Sequence, residues 1–446
     1  MINLIINTLT PRQIYIFNII FNHIYKTDYR IIETNKNPDF KVDFSPEEAY
    51  IIYAEYKDKK ALSIPNLEYL EYIDISYEIC HIRVKGDFPK VFYCPDKDDF
   101  DFDVFSACFI LMTEYFMYNQ PIFDEYGRIN EYQYDVYTKK IYEYPLVNIY
   151  ADYLWEQLIE RFPFLSRIER SFDYEITIDV DEPWLYLHKG IYSIFGKIKD
   201  RWTNNQENAA RRHEVLKSKK DPYDNFDDLM EVMPPEKTTF FFLLNGRSNF
   251  DPKFTSWNLH YRKLIRKIAA KGYRIGIHPS YFSSLNKRLI MRQKEALEDI
   301  IDKEIDTSRQ HFLKYRLPDT YEYLIEAGIK NEYSSCLVHF AGFKNFIACP
   351  FPSYDFKKRK ATELIIHPCM FMDISLFKHM GLSPEDGFET IKTLIDRTFE
   401  VKGKFVFILH NNYFTDYNNM GQWKDVFKET VKYLKEKFDT VNSHNK

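Results

Sequence analysis

Residues 175–184 read EITIDVDEPW, and this stretch decides the fold that we expect for the chain. Residues 176–181 alternate apolar and polar, which is the period of a strand with one buried face. The polar face carries Asp179 and Asp181, about 7 Å apart at the usual rise of a strand. Pro183 ends the strand, so both carboxylates lie near its carboxyl end, where α/β proteins build their sites. One carboxylate can then bind a cation while the other accepts a proton. A half-buried edge strand with a solvated acidic face is the alternative.

The composition is that of a globular protein. A length of 446 residues predicts two or three domains, and 45% hydrophobic with 28% charged residues is ordinary for such chains. The high aromatic share of 17% indicates either a tyrosine-rich core or a cleft for sugars. A net charge of −5 and the lack of a basic stripe argue against nucleic acid as a partner.

No targeting or membrane segment is expected. The apolar N-terminus is interrupted by TPRQ at 10–13 and has neither a basic start nor a small-residue cleavage site. No uncharged apolar run has the length of a membrane span. The 6 cysteines form no CxxC pair and no cluster, which argues against a zinc ribbon and a disulfide framework. We therefore expect a cytoplasmic protein.

Two domains are expected. Residues 1–168 would form a smaller α/β accessory domain, with helices at 11–25, 103–116 and 148–162 and short strands between them. The boundary would fall within 161–167. Residues 169–446 would form the second domain, with an exposed, charged insertion at 189–236 that contains one helix.

Strand and helix patterns alternate from residue 170 onward, which predicts a parallel sheet or a barrel. The expected strands are 174–180, 238–244, 273–278, 308–315, 343–349, 363–367 and 404–409. The expected helices are 257–270, 285–303, 318–327, 384–399 and 422–438.

Several of these strands end in, or contain, side chains of catalytic types. His278 follows an apolar strand, His410 follows five apolar residues, and Arg309 and His311 share another strand. In a closed parallel barrel the carboxyl ends of the strands meet at one mouth. One aspartate and two neutral imidazoles would make a three-ligand zinc site, with a second aspartate as general base and a further histidine as general acid. Each histidine is also compatible with a packing role, and His311 with a polar patch or an ion pair beside Arg309.

Taken together, these segments resemble a divergent branch of the polysaccharide deacetylases. The resemblance is carried by TIDVD at 177–181, GIHPSY at 276–281, SRQHFLK at 308–314 and LHN at 409–411. PDTYEYLIEAGIKNEYS at 318–334 is similar to the segment after the family's third motif. The resemblance covers nearly the whole chain. It implies an α/β protein with a distorted (β/α)7 barrel of the polysaccharide deacetylase type, preceded by a smaller α/β domain.

The resemblance also implies roles for individual residues. Asp179 matches the catalytic base, Asp181 the carboxylate metal ligand, His278 a metal-binding histidine and His410 the general acid. We expect His311 to be the third ligand, by residue type and its place at a strand end. The implied cofactor is a divalent metal, with zinc preferred, and the implied partner is a carbohydrate.

The chain departs from the family in three places. The family's metal histidines stand four residues apart, but Arg274 and Phe282 flank His278 at that distance. Lys344 stands where the branch tends to have arginine, and no Arg-Pro-Pro-Tyr motif is recognisable. Arg309 or Lys344 would stabilise an oxyanion, although an exposed or ion-paired Lys344 is the stronger expectation.

The preferred hypothesis is a metal-dependent hydrolase that removes N-acetyl groups from an amino sugar of a glycan or glycan precursor. One alternative is a non-catalytic relative that binds glycan or protein, which the broken histidine pair favours. The other is a glycosyltransferase that uses Asp179 and Asp181 to hold a metal and a nucleotide-sugar diphosphate. It gives no role to His278 and His410.

Overall fold

The computed structural model describes residues 1–37, 39–71, 82–84, 86–95, 99–190, 192–193, 202–203 and 206–443. Cys80 and part of the insertion expected at 189–236 lie outside these residues. No helix in the described part of the chain combines the length and the apolar character needed to cross a bilayer.

The N-terminal part of the chain builds a four-stranded parallel sheet in the order β2-β1-β3-β4. Its strands are β1 (Ile2–Ile6), β2 (Tyr29–Glu33), β3 (Ala49–Tyr53) and β4 (Leu62–Ser63), followed by a hairpin of β5 (Ile82–Arg83) and β6 (Lys90–Val91). The helices are α1 (Pro11–Phe17), which continues as a π-helix over Asn18–Tyr25, α2 (Val104–Met112), α3 (Tyr115–Asn119), α4 (Asp135–Thr138) and α5 (Leu146–Arg161). The helix predicted at 11–25 is confirmed. It starts there because Thr10 and Gln13 form a capping box and Pro11 takes a first-turn position.

A second sheet has nine strands in the order β12-β13-β11-β10-β9-β8-β7-β15-β14. Its strands are β7 (Asp173–Val180), β8 (Thr238–Phe242), β9 (Arg274–Ile277), β10 (Thr307–Ser308), β11 (Asn331–Glu332), β12 (Phe351–Asp355), β13 (Lys360–Ile366), β14 (Phe371–Met372) and β15 (Lys404–His410). The helices around it are α6 (Gln206–Ser218), α7 (Phe226–Val232), α8 (Leu259–Ala270), α9 (Lys287–Ile301), α10 (Asp319–Glu326), α11 (Pro384–Glu400) and α12 (Gly421–Ser443). Of the pairings in this sheet, only β12 with β13 is antiparallel. The expected parallel-rich α/β sheet is therefore present.

Strand β7 lies inside this sheet, paired in parallel with β15 on one side and β8 on the other. The apolar side chains of β7 are fully buried in the main core, as their alternation predicts. The carboxyl ends of β7, β8, β9, β10 and β15 share one edge of the sheet because all of these strands run in the same direction. The predicted site residues lie along this edge.

Alternate residues of β8 and β15 belong to two different buried clusters. Phe240 and Phe242 join the main core on the side of the helices, whereas Phe241 joins a separate cluster. The separate cluster consists of Phe241, Leu313, Tyr333, Cys336, Val338, Cys369, Met372, Val406 and Ile408. Leu313 and Tyr333, next to β10 and β11, therefore pack with residues of β14 and β15 on the face of the sheet away from the main core.

The structure corrects three sequence expectations. The strand expected at 308–315 is only Thr307–Ser308, because a 3₁₀ turn follows at His311–Leu313 in which Phe312 has a φ of +64°. Residues 343–349 form no strand; their apolar side chains pack in a buried loop, where Asn148 accepts a hydrogen bond from Ala348 N. The described part of the insertion contains two helices, α6 and α7, instead of one.

The N-terminal part packs on the loops that follow β10 and β11. Buried Glu114 accepts hydrogen bonds from Tyr315 at 2.7 Å, from Asn345 at 3.1 Å and from Ser335 at 3.2 Å. Glu131 likewise accepts from the backbone N–H of Val338 at 2.7 Å. These contacts bring the segment between Glu114 and Glu131 to the edge that carries the candidate site.

Candidate active site

Three ligand-type side chains meet beyond the carboxyl ends of β7, β9 and β10. Nε2 of His278 lies 3.1 Å from Oδ1 of Asp181, and Nε2 of His311 lies 3.6 Å from Oδ2. One donor atom from each residue lies within 4.8 Å of the others. These three residues, which we call the acid–imidazole cluster, are the set expected from the sequence to hold a metal.

Both imidazoles are oriented through their other ring nitrogen. Nδ1 of His278 faces the backbone oxygen of Arg309, and Nδ1 of His311 lies 3.0 Å from Oδ1 of Asp251. Since both partners are acceptors, each Nδ1 carries a hydrogen, and the neutral ring presents a lone pair at Nε2. Two lone pairs then point at the Asp181 carboxylate. This arrangement requires a proton or a cation between them.

Sequence reasoning missed Asp251. It lies in the loop after β8, where Tyr281 N and Ser248 N also donate to its carboxylate at 2.9 and 2.8 Å. Its position at a strand's carboxyl edge is the only signal that the sequence offered, since nothing local links it to His311 across 60 residues. A carboxylate behind a ligand histidine is a common feature of metal sites.

The cluster fits a divalent ion. Oδ1 of Asp181 is buried without a hydrogen-bond partner among the described residues, and two nitrogens with one oxygen suit zinc. Burial tends to raise the pKa of Asp181, but His311 and His278 hold it well below the ordinary value. Burial tends to lower the pKa of His311, but Asp181 and Asp251 raise it to about 9. Without an ion, a proton on His311 therefore offsets the negative charge of the Asp181 carboxylate.

Asp179 is tied to the protein interior by Arg309. Nη1 of Arg309 donates to Oδ1 of Asp179 at 2.8 Å, and Nη2 donates to Thr177 Oγ1 at 2.7 Å. Arg309 is fully buried, also donates to Tyr333 O and lies over the Phe241 ring. Oδ2 of Asp179 is 3.8 Å from Nε2 of His278. The guanidinium thus fixes one carboxylate oxygen and leaves the other toward the cluster.

His410 lies across the cluster with a partner that sequence reasoning also missed. Its Nδ1 is 2.7 Å from Oδ1 of the fully buried Asp373, and its Nε2 is 3.8 Å from Oδ2 of Asp181. Burial tends to lower the pKa of His410, but Asp373, with smaller contributions from Asp181 and Asp179, raises it to about 10. At neutral pH this imidazole holds a proton. Asp373 follows the two-residue strand β14, which is too short to produce a sequence pattern.

A cavity of about 340 Å³ is bordered by the acid–imidazole cluster, by Asp179 and by His410. We call this part of the cavity its floor. One wall is aromatic: Phe250 contacts Tyr126, Phe312 and Tyr281, with ring centroids 5.8, 5.2 and 4.6 Å apart. Tyr126 comes from the N-terminal part of the chain. Gln310 also borders the cavity, is buried, and has no partner among the described residues for either amide atom.

Lys344 lies elsewhere. It is buried rather than exposed, and its Nζ lies 4.7 Å from the centroid of the Tyr315 ring. It is not among the residues that border the cavity, and no ion pair to it is present in the described part of the chain. The expectation of an exposed or ion-paired Lys344 was wrong, because the loop that carries it is covered by the N-terminal part.

Comparisons with known proteins give two kinds of similarity. A family of unknown function (DUF7033) matches residues 2–163, and no curated protein matches the chain. A protein from Mycobacterium smegmatis that is provisionally assigned as a polysaccharide deacetylase is similar at 15% identity and a TM-score of 0.40, over 63% of this chain and 94% of that one. The polysaccharide deacetylase Bc1974 from Bacillus cereus is similar at 13% identity and a TM-score of 0.31, over 60% and 89%. A CE4 family pseudoenzyme from Bacillus anthracis is similar at 9% identity and a TM-score of 0.30, over 61% and 68%.

Proposed function

We propose that this chain is a metal-dependent hydrolase that removes N-acetyl groups from an amino sugar of a glycan or glycan precursor. The observation that carries the proposal is the arrangement at the cavity floor. An acid and two imidazoles bring their ligand atoms within 4.8 Å of one another, beside a second acid and an acid-supported imidazole. Metal-dependent hydrolysis of an amide uses these parts: a cation site, a proton acceptor and a proton donor.

Asp181, His278 and His311 would hold the ion, for which we propose zinc. When bound, a divalent ion polarises the acyl oxygen and lowers the pKa of a water molecule toward neutrality. The lone pairs of both Nε2 atoms and the unpartnered Oδ1 of Asp181 support this assignment.

Asp179 and His410 divide the proton transfers. Asp179 takes a proton from the attacking water, and the Arg309 contact keeps its carboxylate turned toward the cluster. His410 gives its Nε2 proton to the leaving amine, and Asp373 keeps that proton available at neutral pH. Arg309 is a positioning residue in this scheme, because no part of it is exposed to a substrate.

The cavity wall favours a sugar as the group that carries the acetamide. Aromatic rings such as Phe250 and Phe312 offer flat apolar faces, against which a pyranose ring can pack. The amide of Gln310 offers an NH2 group that donates and a carbonyl oxygen that accepts, the complement of an acetamido group. A buried amide costs free energy until it is paired.

The domain division and the barrel are also proposals. We propose that residues 1–168 form an accessory unit that shapes the cavity, supported by Tyr126 on its wall. We propose that residues 169–446 form a distorted (β/α)7 barrel. The cluster that joins Tyr333, next to β11, to Met372 of β14 and Val406 of β15 supports a sheet that curls on itself, because β11 is far from β14 and β15 in the strand order.

The test is acetate release from N-acetylated oligosaccharides by the zinc-loaded full chain. Asp179→Asn should abolish release and keep the metal content, whereas Asp181→Ala and His278→Ala should lose the metal in elemental analysis. Asp173→Asn, at the other end of the same strand, is the matched control and should retain activity. Full activity of Asp179→Asn would overturn the assignment.

The same samples separate the alternatives. Metal-dependent binding of a nucleotide-sugar diphosphate without acetate release would favour a glycosyltransferase, although Arg309 already engages one carboxylate oxygen of Asp179. A metal-free protein with an intact fold and glycan affinity would favour a non-catalytic relative.

A further inference from the structure

Two cationic side chains outside the acid–imidazole cluster, Arg128 and Lys378, border the same cavity. We call the part of the cavity that they border its corner. Arg128, from the N-terminal part, donates its Nε to Oδ2 of Asp124 at 2.7 Å, and its backbone N–H donates to Oδ1 of the same carboxylate at 2.9 Å. Its guanidinium lies over the Tyr126 ring at 4.9 Å and the Phe312 ring at 5.9 Å. Asp124 therefore fixes the direction of this side chain, while its two terminal nitrogens have no partner among the described residues.

Lys378 borders the cavity from the other part of the chain. It is exposed, and no carboxylate lies within ion-pair distance of its Nζ in the parts of the chain that the structure describes. Its neighbour His379 also borders the cavity, and burial, His339, Arg128 and Lys378 all lower the pKa of His379. Arg128 and Lys378 thus border the same cavity from the two parts of the chain.

The carboxylates in this corner are already engaged. Asp124 is paired with Arg128, and Glu131 is bonded to the backbone of Val338 and to the His339 ring. At the floor, Asp179 is paired with Arg309 and Asp373 with His410, and the carboxylates of Asp181 and Asp251 would balance a divalent ion. The donors that no carboxylate of the described residues occupies are therefore the two terminal nitrogens of Arg128 and the Nζ of Lys378. Such donors suit an anionic ligand.

We propose that the substrate is an acidic glycan, in which a carboxylate or phosphate on or next to the acetylated sugar binds Arg128 and Lys378. This inference rests on the proposed function, and it names the substrate class. The fixed guanidinium suits two parallel hydrogen bonds to an anionic group, and the lysine adds a mobile charge. The acetamide would then lie at the floor with the sugar ring against the aromatic wall.

The test compares three probes on the zinc-loaded full chain carrying Asp179→Asn, so that binding is measured without turnover. The probes are a neutral N-acetylglucosamine tetrasaccharide, a tetrasaccharide of alternating glucuronate and N-acetylglucosamine, and N-acetylglucosamine 6-phosphate with its unphosphorylated sugar as reference. Calorimetry should give an acidic probe at least about 10-fold tighter binding than its neutral counterpart. The acidic probe that binds more tightly than its neutral counterpart identifies the carboxylate or the phosphate as the anion.

Lys378→Ala and Arg128→Met should each remove most of this preference and leave the neutral probe unchanged. Because Lys378 is exposed, its replacement does not threaten the fold. Lys360→Ala is the matched control, an exposed lysine at the start of β13 and so at the opposite edge of the sheet, and should keep the preference. Equal or weaker binding of both acidic probes, or a preference that survives both variants, would overturn the proposal.

Acetate release by the unsubstituted protein separates this inference from the proposed function. Release from neutral and acidic probes at equal efficiency would leave the hydrolase standing and refute the anion site. Preferential binding of an acidic probe that depends on Lys378, without acetate release from any probe, would refute the hydrolase and leave the anion site standing.

Discussion

The Asp373 carboxylate holds His410 at two points. Oδ1 lies 2.7 Å from Nδ1 of the ring, and Oδ2 accepts the backbone N–H of the same residue at 2.6 Å. The carboxylate is fully buried, so it fixes both the ring's orientation and its proton. His410 therefore presents a protonated Nε2 to the cavity.

Asp373→Asn should lower kcat by about 100-fold, because the ring loses the charge that keeps its proton. KM and zinc content should change little, since Asp373 does not contact the acid–imidazole cluster. Steady-state kinetics and elemental analysis measure these quantities. Asp425→Asn, an exposed site on α12, is the control. A variant with unchanged kcat would show that His410 does not act as the acid.

Asp251→Asn should weaken zinc binding by about 10-fold to 100-fold, because Asp251 orients His311. Competition with a chelating dye measures this affinity. The exposed Asp299→Asn on α9 should leave it unchanged. An identical zinc affinity of Asp251→Asn and the unsubstituted protein would show that Asp251 does not orient His311 as a zinc ligand.

Arg309→Met should lower the free energy of unfolding by about 3 to 5 kcal/mol, since it leaves Asp179 as an unpaired buried charge. Arg309→Met combined with Asp179→Asn should be more stable than Arg309→Met alone, because the second change removes that charge. Urea unfolding of the two single variants and the double variant measures the coupling. Strictly additive losses would mean that the pair does not interact.

Glu332→Gln should change how stability depends on pH. Burial raises the pKa of Glu332 to about 7, so the folded chain holds this proton more tightly than the unfolded chain does. The stabilisation from this proton is complete below about pH 4.5 and is lost as the pH rises through 7. Relative to the unsubstituted protein, Glu332→Gln should therefore gain up to roughly 3 kcal/mol between pH 4.5 and 8. A difference that is constant over this range would contradict the raised pKa.

The sequence by itself determined the elements that depend on local pattern. The alternation at 176–181 specified strand β7 and placed Asp179 at its carboxyl end, because the strand period is local. The capping box at Thr10 likewise specified the start of α1, and the long amphipathic patterns specified α8, α9 and α11 close to their observed bounds.

Only the tertiary structure decided which side chains meet. Arg309 contacts Asp179 across 130 residues, Asp251 contacts His311 across 60, and Asp373 contacts His410 across 37. The turn that brings His311 to the cluster depends on a positive φ at Phe312. The residue types in this segment do not predict that backbone conformation. Arg128 reaches the cavity because buried Glu114 and Glu131 fasten the N-terminal part to distant loops. Local pattern cannot encode such contacts, since they are selected by packing among elements that are far apart in sequence.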